Sequence, residues 1–367
     1  LWYQPFSVTL HRFLNDTIEM RKGFKKGYLV LAIACLHVLF GIGYYYFFTA
    51  FSCKKSTTYL YVDNDDNYDS LMTKLKPVAN KHAFHAFSIL SRHSDLTKKV
   101  RIGRYAIEPS TSTFTIFRHI KSGMQTPVSL TVPSVRTMED MAGALSKKLL
   151  LDSATIANAL KDEAVCKKYG YDTATIAALF IPNTYDVYWN ISLDGLLERL
   201  QKENKNFWND ERMEKATRLK LTPNEVVTLA SIVDEETANN AEKPMIAGMY
   251  YNRLMLRNSE YPKGMPLQAD PTIKFAWKNF ALKRIYNSLL RIDSPYNTYV
   301  NPGLTPGPIR VASIAGIDAV LNMKKHNYLY MCAKEDFSGT HNFAATYAEH
   351  IANAKRYSAA LNERGIK

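Results

Sequence analysis

Residues 229–237 read LASIVDEET, an apolar run that ends in three consecutive carboxylates, Asp234, Glu235 and Glu236. A carboxylate held against apolar surface has its charged form disfavoured, so it can keep a proton near neutral pH and act as a general acid. Upstream, Thr222, Pro223 and Glu225 occupy the Ncap, N1 and N3 slots of a capping box, so a helix begins at Pro223. Taking Leu229 as 0°, ideal helix geometry places Val226 at about +60°, Ile232 at about −60°, Val233 at about +40° and Glu236 at about −20°. Asp234 and Glu235 point away, at about 140° and −120° by the same geometry. Only Glu236 therefore shares the apolar face, and the other two acids read as solvated or supporting groups. Two readings of Glu236 stand: a general acid, or a buried carboxylate neutralised by an arginine such as Arg253.

Hydrolysis of a glycosidic bond normally needs a second carboxylate, as nucleophile or as base for water. Asp270, in LQADPT, is the candidate, although Pro271 beside it suits a structural cap or turn equally well. Some sugar cleavages avoid water: a substrate hydroxyl attacks, and one carboxyl serves first as acid and then as base. The residue pattern leaves that choice open.

The elements that must position these groups follow a membrane-directed start. RKGFKKG at 21–27 precedes YLVLAIACLHVLFGIGYYYFFTAF at 28–51, a stretch without Asp, Glu, Lys or Arg and about long enough to cross a bilayer. Four cations ahead of it, against Lys54 and Lys55 after it, predict a cytoplasmic tail and an exported body. Tyr44 to Tyr46 are expected near the outer interface, and His37 as tolerated packing. The run is longer than a signal-peptide core and ends in no small-x-small site. Residue 1 is Leu and Met20 sits just ahead of the basic cluster, so residues 1–19 are expected to lie upstream of the natural start.

Composition suits an ordinary globular body: 367 residues, 46% hydrophobic and 22% charged, with a formal charge of +13. That charge is spread along the chain, and no compact basic block, zinc-finger spacing or RNA-binding aromatic signature accompanies it, which weighs against a nucleic-acid partner. Cys35, Cys53, Cys166 and Cys332 form no CxxC pair, which leaves one Cys166–Cys332 bridge as the open disulfide option. The acidic run DNDDNYD fails as a calcium loop, because Tyr68 and Lys74 fall where Gly and a bidentate Glu are needed.

TYLYV (58–62), RIGRYAIEP (101–109) and VSLTVP (128–133) read as strands, and a helical run follows through Leu71 and Leu75. TSTFTIFRHIKSG (111–123) and TMEDMAGALSKKL (137–149, capped by Thr137) read as helices. From about 170 the chain shifts to longer helical runs joined by Pro-, Gly- and Tyr-rich connections. FIPNTYDVYW (180–189) is too aromatic for a linker, and residues 197–220 read as one charged helical stretch with an apolar stripe. The fold class is α+β.

FIPNTYDVYW, LASIVDEET, YNRL (251–254), MPLQADPT (265–272), SPYNTY (294–299), GLTPGPI (303–309), YLYMCA (328–333) and HNF (341–343) together resemble the endolytic murein lytic transglycosylases of the MltG, or YceG-like, type. The resemblance runs over roughly residues 175–360. It implies a domain plan: a tail (1–27), a transmembrane helix (28–51), a LysM-like α/β module (55–150) and a mixed α+β catalytic domain (151–367). It also implies cleavage between N-acetylmuramic acid and N-acetylglucosamine within peptidoglycan glycan strands, leaving 1,6-anhydro muramyl ends and limiting strand length, with Glu236 as catalytic acid. Position 234 holds Asp where many relatives have Glu, which suits a noncatalytic role there. No metal or cofactor is implied. The expected partners are peptidoglycan strands, the membrane and peptidoglycan synthases, and no nucleic acid. Gln268, Asp270, Tyr296, Asn297 and Tyr299 are expected to bind substrate, since amides and phenols offer polar contacts and stacking faces. TPGP (305–308) reads as a rigid turn shaping the groove; His341 and Asn342 are candidates to line it, with a satisfied structural histidine as the other reading of His341. A hydrolase using Glu236 with Asp270, or a noncatalytic wall-binding protein, are the alternatives.

Overall fold

Helix signals along the chain are locally strong, and they are realised. In the computed structural model, which describes residues 6–282 and 284–365, α1 (Phe6–Phe47) runs through the apolar N-terminal stretch. Its segment Lys26–Phe47, with a mean hydropathy of 1.9, is long and apolar enough to cross a membrane. The expected span reached residue 51, but the helix stops at Phe47. Phe51 instead is fully buried, its N–H donating to Thr111 O at 2.8 Å, so residues 48–51 belong to the module that follows.

That first unit, ending at Pro127, has the order strand, helix, helix, strand, helix. β1 (Thr58–Val62) pairs antiparallel with β2 (Gly103–Ile107), Leu60 facing Tyr105. Between them come α2 (Tyr68–Leu75), capped by Asn67, and α3 (Lys81–Arg92). α4 (Thr113–Ser122) starts at the Ser112 cap and ends at Gly123, whose φ of 73° is the left-handed turn that glycine makes at least cost. Phe51, Leu71, Phe87, Tyr105 and Ile116 fill the core beneath.

The second unit spans Val128–Lys367, so the chain divides at Pro127 and not at the expected 150. The reason is pairing at long range. β3 (Val128–Thr131) joins β4 (Thr184–Val187) antiparallel, which pulls α5 (Met138–Ser146), α6 (Ser153–Lys161) and α7 (Glu163–Lys168) into the second body. The aromatic stretch 180–189 thus contributes a strand, with Tyr185 and Val187 turned inward. The charged stretch that reads as one helix is two, α8 (Leu193–Phe207) and α9 (Asp210–Arg218), broken where the Asn209 side chain accepts from Arg212 N.

The core that carries the site is helical. α10 (Pro223–Glu236) is buried continuously from Val226 to Val233 and packs among α11 (Lys243–Met255), α12 (Asp270–Ala276) and α13 (Ile314–Leu321). The hairpin of β5 (Tyr330–Ala333) and β6 (His341–Ala344) is backed by α14 (Tyr347–Glu363). All four cysteines are free, so the Cys166–Cys332 option is not realised; Cys166 is buried and its thiol donates to Leu160 O at 3.6 Å.

The TPGP turn is held by Thr305 Oγ1 donating to Gly307 O at 2.8 Å. A Cβ on Gly307 would sit 2.0 Å from Ala174 O, against backbone that cannot rotate aside. Gly307→Ala is expected to cost about 1–3 kcal/mol or more, read as a lower urea midpoint.

Candidate active site

α10 begins as its capping box requires, with Thr222 N donating to Glu225 Oε2 at 2.7 Å and Glu225 N to Thr222 Oγ1 at 3.3 Å. Fourteen residues later the helix delivers its three acids in three directions. Asp234, its side chain 3% exposed, pairs with Lys243 Nζ at 2.7 Å and accepts from Ser313 N at 2.6 Å and Ser313 Oγ at 2.8 Å. It therefore ties α10 to α11 and to the capped start of α13. Glu235 receives Arg136 Nε at 2.8 Å and Arg136 Nη2 at 2.9 Å, and Arg310 Nη1 at 2.8 Å. Of the two settings expected for these acids, solvated or supporting, both take the supporting one. Helical phase reports which side of α10 a residue takes, and here other elements cover the remaining sides.

Glu236 alone has no cationic partner within ion-pair distance among the described residues. Its Oε1 accepts the Tyr250 phenol, and the residue is only partly exposed. Burial pushes its pKa up from 4.5 to about 7; the Tyr250 hydrogen bond opposes this, the Asp270 charge adds to it, and Lys274 and Arg253 pull it back. Arg253 does not neutralise it. That guanidinium, 7% exposed, donates to the carbonyls of Leu329, Pro266 and Leu267 and reaches Gln268 Oε1 at 3.5 Å. Glu236 is thus a carboxyl whose pKa burial raises to about 7, hydrogen-bonded among the described residues through Oε1.

A cleft of about 340 Å³ opens at this group. Gln268, Asp270 and Tyr299 line it with Glu236, Tyr250 and Arg253, and Tyr330, His341, Tyr347 and His350 complete the far wall. Asp270 opens α12, and its Oδ1 accepts the Tyr299 hydroxyl at 2.5 Å. Gln268 is held at a φ of 50°, a costly backbone for a residue with a side chain, with its N–H on Thr298 O.

The other two expected binders are elsewhere. Asn297 is 0% exposed, and its amide donates to Leu290 O at 2.9 Å and Ile292 O at 3.0 Å while its Oδ1 accepts from Tyr299 N at 3.0 Å. It shapes the loop that presents Tyr299, and has no donor left for a sugar. Tyr296 packs on Phe275, 4.7 Å between ring centroids, and lines a second cavity. His341 uses its backbone N–H and its Nδ1 on Glu242 and has one face in the cleft, whereas Asn342 donates to Glu335 at 2.5 Å and is not among the residues lining the cleft.

Tyr250 escaped the sequence reading, as did Tyr330, Tyr347 and His350. For Tyr250 a signal exists: it stands three residues from Arg253 on one face of α11. Among the described residues, no group of three or more His, Cys, Asp or Glu side chains is placed to hold a metal ion.

Comparison with known proteins identifies the family of the chain. Over 173 residues the chain is 35% identical to the endolytic murein transglycosylase of Bacillus subtilis (strain 168), covering 47% of this chain and 45% of that one. To the endolytic murein transglycosylase of Streptococcus pneumoniae serotype 2 (strain D39 / NCTC 7466) it is 27% identical over 308 residues, 75% of this chain and 54% of that one. The chain thus spans about half the length of the curated relatives it matches. A crystal structure of a yceG-like protein from Listeria monocytogenes aligns with a TM-score of 0.49 at 25% identity, over 82% of this chain and 99% of that one. Residues 60–356, a span that includes every residue lining the cleft from Glu236 to His350, match the YceG-like family; the chain belongs to the YceG-like family.

Proposed function

We propose that this chain is a membrane-anchored endolytic lytic transglycosylase, cutting the bond between N-acetylmuramic acid and N-acetylglucosamine in peptidoglycan strands and leaving 1,6-anhydro muramyl ends. The observation that carries the reading is Glu236: a carboxyl whose pKa burial raises to about 7, without an ion-pair partner among the described residues, at the wall of a polar cleft. The names of the relatives support the substrate. The apolar helix supplies the anchor, and the cations before it favour a body on the outer side of the cytoplasmic membrane. We extend the reading to a LysM-like role for the strand–helix–helix–strand module, to strand-length control, and to peptidoglycan synthases as neighbours.

In this mechanism Tyr250 occupies Glu236 Oε1, which leaves the acid proton on Oε2. Oε2–H donates to the glycosidic oxygen as its bond to muramyl C1 breaks, and the new carboxylate then takes the proton of the muramyl C6 hydroxyl as that oxygen bonds to C1. The product is an isomerised strand cut in two, and Glu236 ends protonated as it began. Ring closure is intramolecular, so a well-held sugar outcompetes water. Arg253 and the Tyr250 hydrogen bond favour the transient carboxylate, while Gln268 and the Asp270–Tyr299 pair offer the polar contacts that orient the sugar.

Digestion of purified sacculi in oxygen-18 water tests the reading: products free of label are expected, and label at the new muramyl ends would defeat it. A second expectation concerns pH. The acid form declines as pH rises through about 7, so kcat falls on the alkaline side there. Tyr250→Phe removes a bond that lowers the Glu236 pKa, so the alkaline limb should move to higher pH while the rate at the optimum drops roughly tenfold. A rate profile with an unmoved limb would contradict the assigned pair.

A further inference from the structure

α12 and the 294–299 loop separate the cleft from a second cavity of about 370 Å³. Asp270 and Tyr299 face the cleft, whereas Phe275, Lys278, Ser294 and Tyr296 face this neighbour. Apolar groups, among them Met138 and Leu160, form much of its wall, and the Phe275–Tyr296 pair adds an aromatic surface. Its charged groups are unbalanced: Arg136, Lys161 and Lys278 against Glu139. Lys161 Nζ lies 2.6 Å from Glu139, and Arg136 spends two of its nitrogens on Glu235. Lys278 has no ion-pair partner among the described residues, its ammonium lying 5.2 Å from the Phe275 ring centroid.

The backbone singles out the same lysine. Lys278 follows the Trp277 cap of α12 with a φ of 54°, and its N–H closes the turn on Phe275 O at 3.0 Å. Glycine or asparagine is the usual occupant of this left-handed position after a helix, because a longer side chain there strains the backbone. A lysine held at that position keeps an unpaired ammonium at the cavity.

We infer that this second cavity binds the acidic peptide stem attached to the muramyl sugar, with Lys278 recognising a stem carboxylate and the Phe275–Tyr296 surface its side chains. The inference rests on the peptidoglycan reading of the neighbouring cleft. Distance allows it: the backbones of Asp270 and Lys278 are about 12 Å apart along α12 at helical rise, and an extended stem of about four residues reaches roughly 13 Å. Arg136 touches both systems, since it lines the cavity and holds Glu235, the neighbour of Glu236.

The test has a binding arm and a kinetic arm, both on the full chain. A synthetic stem tetrapeptide with free carboxylates should bind the parent by calorimetry, and at least fivefold more weakly to Lys278→Gly and Lys278→Met. The glycine variant relieves the backbone and the methionine variant keeps the side-chain bulk, so an effect shared by both follows the charge. In the kinetic arm, the ratio of kcat/KM on stem-bearing strands to that on amidase-stripped strands should fall about tenfold in both variants. No peptide binding by the parent, unchanged affinity in the variants, or an unchanged ratio would each overturn the assignment. If neither kind of strand yields 1,6-anhydro ends, the lyase reading fails by itself, and the peptide titration still decides the carboxylate site.

Discussion

Glu236→Gln is expected to lower strand cleavage by roughly a thousandfold or more, while binding to glycan strands stays within a few-fold of the parent. The amide keeps the volume and can still accept the Tyr250 phenol, but it has no proton to give the leaving oxygen and no carboxylate to take one back. The same change should stabilise the fold in a pH-dependent way. The folded-state pKa of Glu236 lies near 7 against an ordinary 4.5, so between those values the unfolded chain binds fewer protons than the native one, and parent stability falls as pH rises through that window. Glutamine carries no such loss. The variant should match the parent below the ordinary glutamate pKa and exceed it above neutral pH, by roughly 1–3 kcal/mol. Urea unfolding at acid and at alkaline pH checks this; a variant equally or less stable at alkaline pH would mean that Glu236 is not held against its charge.

The largest loss of stability is expected at the acid two residues earlier. Asp234 and Lys243 form a pair with side chains 3% and 7% exposed. Lys243→Met leaves the carboxylate in place with only the Ser313 donors, an uncompensated buried charge that costs about 3–5 kcal/mol. Adding Asp234→Asn should recover a large part of that cost, because the charge itself is then gone. A double variant no more stable than Lys243→Met would show that the packing of the lysine stem, and not the charge, supports this corner of the fold. Since Asp234 sets the end of α10 against α11 and α13, activity should fall in step with the folded fraction rather than through kcat.

What could be read in the sequence was local. The capping box at Thr222 sets the start of α10, and helical period then turns Glu236 toward the apolar side, with no distant contact needed. The cap at Thr137 was legible for the same reason. The surroundings of Asp234 and Glu235 were not, because their partners Ser313 and Arg136 lie 79 and 99 residues away along the chain. The unit boundary at Pro127 was missed likewise, since it depends on β3 finding β4 more than fifty residues later. Asn297 shows a different limit. An amide in a Tyr-rich loop serves equally well as a sugar ligand or as a brace, and only its burial assigns it to the brace. The break at Asn209 was available in the residues themselves, as an Asn cap followed by two acids, but the continuous charge pattern on either side concealed it.

The central claim is that one carboxyl, Glu236, cuts the strand without water. Mass spectrometry of the products released from defined glycan strands tests it most directly. Muramyl ends lighter by one water, as 1,6-anhydro sugars are, are expected from the parent and not from the Glu236→Gln protein. Reducing muramyl ends from the parent, or anhydro ends from the Glu236→Gln protein at the parental rate, would contradict it.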